Sequence, residues 1–360
     1  MIPIYEPEIG AQEKLYVNQA IDTGWISSQG SFVKDFEKSF ADWHSIKFGV
    51  AVANCTVGLH LSLMAIGLKP GDKVLCPNLT FISPANMIRL AGFELGLVDI
   101  EPTSWAMCPS DLEQKICPRT KAIVVVHPFG HPAAMDKIKR ICNQASIKII
   151  EDVAEAPGAR TQGELVGSIG DISCFSFFGN KILTTGEGGM VLTSCEETSR
   201  KLKILRDHGM SPEERYKHLY LGFNYRMTNL QAAVGLGQFE RFEEILKKRH
   251  LQAECYEGLL QHKSNVTWRP FEDSVEPVHW LATVTFDTNE QREKFIPKAH
   301  HAGVETRRMI YPVSDAEHFK TNFDTSNFPV SRDISYRSCH LPSGSNLSRE
   351  QIELICDLID

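Results

Sequence analysis

The chain has 360 residues, with 38 Lys+Arg against 45 Asp+Glu and a formal net charge of −7. Hydrophobic residues make up 42% and charged residues 23%, which is too apolar for a disordered chain and ordinary for a globular enzyme of about two domains. The negative balance argues against a dedicated nucleic-acid binder, and no apolar run approaches the roughly 20 residues of a membrane helix. The stretch Met1-Ile2-Pro3-Ile4-Tyr5-Glu6-Pro7 lacks the basic and apolar regions of a secretory signal. None of the ten cysteines falls in a CxxC pair. They read as reduced thiols of a cytoplasmic protein, with no metal site expected.

In chain order, Phe48–Ala53 reads as a strand running through Asn54-Cys55-Thr56 into a helical pattern over 57–66. Further strands are expected at Lys73–Cys76, Phe93–Asp99, Ala122–Val126, Ile147–Asp152, Ile172–Phe177 and Gly189–Thr193. The unbroken apolar run Ala122–Val126 is typical of a strand covered on both faces. Strands separated by helical segments predict an α/β fold with a mostly parallel, seven-stranded sheet flanked by helices. Near Thr228 the texture changes. Thr228-Asn229-Leu230-Gln231 is a capping box opening one long helix, with apolar residues from Leu230 to Ile245 and Lys247, Lys248 and Arg249 later on it. Val278–Phe286 reads as a strand of a second unit. The expected division is a large domain over 1–243 and a smaller α+β domain over 244–360.

Four features fall at the ends of these expected strands. Asn54-Cys55-Thr56 is a strand-to-helix junction where free N–H groups suit a phosphate, although an ordinary helix start capped by Thr56 explains it as well. Glu151-Asp152 closes an apolar strand and reads either as a site acid or as a solvated loop acid. Lys181 follows the apolar Cys174-Phe175-Ser176-Phe177-Phe178 and precedes the small-residue turn Gly186-Glu187-Gly188-Gly189. In a dry site its pKa falls and the amine becomes nucleophilic. Gly222-Phe223-Asn224-Tyr225-Arg226 offers an amide and a guanidinium before the long helix. A phosphate cradle, an acid for a ring nitrogen and a lysine for an aldehyde together suit pyridoxal 5′-phosphate (PLP).

These segments resemble the DegT/StrS-type nucleotide-sugar aminotransferases, which are fold-type I PLP enzymes. The resemblance runs from Gly24-Trp25-Ile26-Ser27-Ser28-Gln29-Gly30 through His127-Pro128-Phe129-Gly130-His131-Pro132, Glu151–Ala156, Ser176–Gly189 and Gly222–Gln231 to Leu341-Pro342-Ser343-Gly344. Ser176–Lys181, Glu155 and Gly130-His131-Pro132 are most similar to the GDP-perosamine synthase branch. The resemblance implies that Lys181 is the catalytic lysine, bonded to the cofactor aldehyde and later moving the proton. It implies Asp152 at the pyridinium nitrogen, Phe81 stacked on the ring, and Cys55, Thr56 and Ser176 at the phosphate. Glu155 lies near the phenolic oxygen, where relatives often carry Gln. Asn224 would reach the phosphate of a partner subunit, which implies a homodimer with shared sites. Trp25, His208, Arg226, Arg307 and Tyr311 are the substrate-side candidates. The implied reaction takes nitrogen from L-glutamate, cycles the cofactor through pyridoxamine phosphate, and aminates a nucleotide-linked 4-keto-6-deoxy sugar. Amination at another carbon, or of a UDP- or dTDP-linked sugar, stays open. A sugar dehydratase is disfavoured because relatives of that kind carry His at the position of Lys181, and a PLP-binding regulator because every matched catalytic position holds a competent residue.

Overall fold

The computed structural model describes residues 1–271 and 274–359. Two helices, α1 (Ala11–Asp22) and α2 (Ser31–Trp43), lead into β1 (Phe48–Val52). The chain then alternates through α3 (Cys55–Ala65), β2 (Lys73–Pro77), α4 (Ser83–Leu90), β3 (Glu94–Val98), α5 (Pro109–Lys115), β4 (Thr120–Val126), α6 (Met135–Ala145) and β5 (Lys148–Asp152). A short excursion, β6 (Arg160–Thr161) and β7 (Glu164–Leu165), precedes β8 (Ile172–Ser176) and β9 (Gly189–Thr193). Seven of these strands form one sheet in the order β1-β9-β8-β5-β4-β2-β3. β9 runs against both of its neighbours, and the other six strands are parallel. Every expected strand of the sheet is present, its ends within two residues of the sequence reading.

Both sheet faces are apolar because helices cover both. Val50 and Val52 pack with Leu59, Leu61 and Leu63 of α3, Ile88 of α4, and Leu202 and Leu205 of α7 (Glu196–Arg206). Ala51, one residue out of phase, joins Phe36 and Phe40 of α2 and Leu236 of α8 (Asn229–Glu240) on the opposite face. Farther along that second face, Leu75, Ile123 and Val125 meet Ile138 of α6.

The Thr228 capping box is present, with the Thr228 hydroxyl accepting from Gln231 N–H and the Gln231 carbonyl from Thr228 N–H. The single long helix is not. α8 stops at Glu240, and α9 (Phe242–Leu260) starts two residues later. Arg241 leaves helical geometry between them, with its guanidinium on Glu8 and Glu13 at 2.8 and 2.9 Å. α9 serves two cores: Phe242 and Ile245 lie in the sheet's core, Tyr256 and Leu260 in the C-terminal one.

The rest of the chain contains β10 (Val266–Trp268), β11 (Val275–Glu276), β12 (Ala282–Phe286), α10 (Asn289–His301), β13 (Arg307–Arg308), α11 (Pro329–Arg337), β14 (Ser338–Leu341) and α12 (Arg349–Asp357). Four of the strands make an antiparallel sheet, β10-β12-β14-β13, while β11 pairs back onto β6. The strand expected from Val278 begins only at Ala282. His279 has a left-handed φ of +48°, and the carbonyls of His279 and Trp280 accept from Arg249 instead of a neighbouring strand. Asp99, beyond β3, accepts from Val330 N–H and Ser331 N–H, so the main sheet caps α11.

Candidate active site

β8 and β9 are hydrogen-bonded antiparallel partners, and Lys181 sits in the connection between them. That connection is tied down along its length. Phe177 N–H donates to Gly188 O, Thr185 N–H to Phe177 O, and Lys181 N–H to Phe178 O, each at 2.9 Å. Gly186 adopts φ +80°, a conformation that favours glycine. Tyr5, from the far N-terminal end, donates its hydroxyl to Lys181 O at 2.6 Å. The Lys181 side chain is therefore held at its base and is only 8% exposed as a residue. Burial pushes its amine below the usual lysine range, while Glu155, Asp152 and Cys55 pull the other way.

Asp152 is the last residue of β5. Its Oδ1 accepts Ala154 N–H at 3.0 Å, and the Cys55 thiol lies 3.9 Å from the same oxygen. Among the described residues no hydrogen bond reaches Oδ2. Burial pushes this carboxyl up to about 6. Glu155 is anchored through Oε2, which accepts Phe129 N–H at 2.7 Å, and its Oε1 stands 3.5 Å from Lys181 Nζ. Glu151 is no solvated loop acid. It is wholly buried and collects the N–H groups of Gly167, Ile169 and Gly170.

The α3 N-terminus closes this site. Its cap is Asn54, whose side chain accepts from Val57 N–H, and not Thr56, whose hydroxyl pairs with Ser83 Oγ at 2.8 Å. The N–H groups of Cys55 and Thr56 have no partner among the described residues, as expected for the first turn of a helix. β9 approaches this turn so closely that a Cβ on Gly189 would lie 2.7 Å from Cys55 N. Ser176, at the end of β8, is buried and accepts Phe178 N–H at 3.4 Å.

Lys181, Asp152, Glu155 and Cys55 therefore form one buried group, with Thr56 and Ser176 at its edge. Asn224, Arg226 and His208 form a second group, linked to one another, with Asn224 and His208 exposed and Arg226 half-buried. Arg226 Nε donates to Asn224 Oδ1 at 2.9 Å, and its Nη2 lies 3.3 Å from His208 Nε2. Arg226 Nη1 pairs with Asp207 at 2.8 Å. Among the described residues no hydrogen bond or ion pair joins this group to Lys181, Asp152 or Glu155. Phe81 and Trp25 are exposed, and Trp25 O is held by Asn229 Nδ2 at 2.6 Å. Arg307 lies on β13 opposite His340, and Tyr311 meets Tyr336 edge-on. The sequence reading missed Tyr5 and Trp280. The Trp280 indole donates to Asn180 O at 2.6 Å. No local pattern marks either residue, since each acts on Lys181 or its neighbour from about a hundred residues away or more.

A desolvated lysine on a sheet of this order, facing a strand-end acid and a helix start with spare amides, defines a class: the PLP-dependent aminotransferases. The chain belongs to the DegT/DnrJ/EryC1/StrS aminotransferase family, whose model matches residues 7–360. It is similar to the GDP-perosamine synthase of Escherichia coli O157:H7, 38% identical over 359 residues, covering 100% of this chain and 98% of the relative. The GDP-perosamine synthase of Caulobacter vibrioides is 38% identical over 362 residues, covering 100% and 97%. Among solved structures, the putative sugar aminotransferase Spr1654 from Streptococcus pneumoniae in its PMP form superposes with a TM-score of 0.95 at 25% identity, covering 100% and 98%.

Proposed function

We propose that this aminotransferase moves the amino group of L-glutamate onto C4 of a GDP-linked 4-keto-6-deoxy sugar. It works as a cytoplasmic homodimer and serves surface polysaccharide such as the O-antigen of lipopolysaccharide. Three relatives named GDP-perosamine synthase, 35–38% identical across this whole chain, support the sugar class. The observation that carries the chemistry is the Lys181 amine, buried beside Glu155 and within the field of Asp152.

The free groups of the site fit the cofactor. The unpartnered N–H groups of Cys55 and Thr56, at the positive end of α3, with the Ser176 hydroxyl, suit a phosphate. The unbonded Oδ2 of Asp152 suits a protonated ring nitrogen, which would hold that carboxyl ionised. When bound, the cofactor supplies an electron sink for the carbon that loses its proton. Lys181 Nζ takes the proton from the donor carbon bearing nitrogen and, in the second half, delivers one to the sugar C4. Phe81 offers an exposed ring face for stacking. Glu155, pinned by Phe129, faces Lys181 and would meet the phenolic oxygen of the cofactor. Asn224 serves the partner's site, which accounts for its separation from Lys181 in its own chain. Arg226, His208, Trp25, Arg307 and Tyr311 meet the sugar nucleotide.

The test is a panel of GDP-, UDP- and dTDP-linked keto sugars with glutamate, read by mass spectrometry. The expected result is amination of the GDP-linked 4-keto sugar, with an equal amount of 2-oxoglutarate. Preference for a UDP or dTDP sugar, or for another carbon, would replace the substrate assignment. No product with any keto sugar would overturn the reading.

A further inference from the structure

Lys181 Nζ stands 3.4 Å from the centroid of the Trp280 indole and 3.5 Å from Glu155 Oε1. We propose that the Trp280 face, with Glu155 beside it, is a seat that holds the Lys181 amine whenever that amine is free of the cofactor. This rests on the reading of Lys181 as the lysine of the chemistry and adds Trp280 as a positioning residue.

The seat is built as a closed circuit. The Trp280 indole N–H donates to Asn180 O, one residue before Lys181. The indole lies parallel to Phe129, with centroids 6.1 Å apart and 3° between planes. Phe129 N–H in turn holds Glu155. Behind the ring, the Trp280 carbonyl accepts from the buried Arg249. Trp280 is thus bonded to the carbonyl just before Lys181, and Glu155 to Phe129, the ring stacked beside Trp280.

The physical need is specific. An ammonium taken out of water loses its hydration, and the electron-rich face of an indole restores part of that stabilisation. In a half-reaction the released amine has to stay near the reacting carbon, and a flexible four-carbon side chain does so only where something holds its end. The other titratable groups that act on it are Asp152 from β5 and the Cys55 thiol from α3, while the buried Arg269 acts on Glu155 and not on the amine itself. Asp152 and Glu155 favour the ammonium but leave its position open, whereas the indole face defines it.

The test uses cofactor-free protein, so it reads the amine directly. Acetylation of Lys181 by acetic anhydride is followed against pH by peptide mass spectrometry. The five tryptophans are replaced biosynthetically by mono-, di- and trifluorotryptophan, which weakens the ring face with little change of shape. The expected result is a stepwise fall of the Lys181 midpoint, reaching about 0.5–1 pH unit, or about three- to tenfold faster acetylation at neutral pH. In Trp280→Phe protein, fluorotryptophan is expected to change nothing, while the midpoint falls less than with trifluorotryptophan. A midpoint unmoved by fluorination, or moved equally in Trp280→Phe, would overturn the seat. The visible spectrum of cofactor-loaded Lys181→Ala tests the parent reading separately, so the two failures are distinguishable.

Discussion

His127 and Glu151 face each other entirely out of water, with Nε2 of the ring 3.1 Å from Oε2 of the acid. Ala133 N–H donates to His127 Nδ1 at 3.0 Å, so the ring carries its proton on Nε2, toward Glu151. Burial pushes the Glu151 carboxyl up, but the bonds from His127, Gly167 and Gly170 outweigh it and leave the group below its usual range. His127 N–H also donates to the carbonyl of Asp152. That bond is made by the backbone of His127, so the end of β4 and the anchored Glu151 together hold the chain that presents Asp152.

Removing one partner leaves the other buried without its bond. Glu151 keeps its bonds from Gly167, Ile169 and Gly170, so His127→Ala is expected to destabilise the protein by about 1.5–3 kcal/mol, the range for one hydrogen bond to a charged group. Urea unfolding of the cofactor-free protein measures this. A loss near zero would show that the pair is dispensable.

Asp152 gives a pH signature of opposite sense to that of a salt-bridged acid. Its folded pKa, about 6, lies above the usual carboxyl value, so the protonated form is the one the fold favours. Its contribution to stability is complete below about pH 4 and is lost as the pH rises through about 6. Cofactor-free Asp152→Asn is therefore expected to be more stable than wild type at pH 7.5 by roughly 1–3 kcal/mol, and equal to it near pH 4. Denaturant titrations at the two pH values check the difference. A variant less stable at pH 7.5 contradicts the argument.

Lys181→Ala is expected to lose the visible absorption band of the loaded enzyme and to slow transamination by at least about 10³-fold. The spectrum is the sharper measurement, since a band unchanged in the variant rules out Lys181 as the bonded lysine.

The proposed shared site makes a stoichiometric prediction. Lys181→Ala and Asn224→Ala homodimers, each weak alone, are mixed after mild dissociation. Random reassociation gives one complete site in each hybrid dimer, so activity is expected to rise to about a quarter of wild type. If both residues serve the same chain's site, mixing restores nothing.

Much of the architecture is legible in the chain because its signals are local. Runs such as Ala122–Val126 have no polar face to offer solvent, so they mark strands covered on both sides. The Thr228–Gln231 box is a four-residue motif and is found where expected. The Lys181 and Asp152 segments are equally readable, since Asp152 ends an apolar strand and Lys181 follows one. What escapes is set by distant partners. The break at Arg241 follows from Glu8 and Glu13, more than 220 residues away. The late start of β12 follows from Arg249 taking two carbonyls. The link between Trp280 and Asn180 joins residues a hundred positions apart, with no repeat or spacing to betray it.

The hold on Lys181 has a consequence for order in time. Tyr5, which clasps its backbone, is made 176 residues before Lys181, whereas Trp280 is made a hundred residues after Asn180. A chain still growing, or cut short anywhere before residue 280, has the lysine and its strands but not its aromatic roof. Such a fragment lacks the indole face, so the placing of the Lys181 amine waits on residues made about a hundred positions after its own segment.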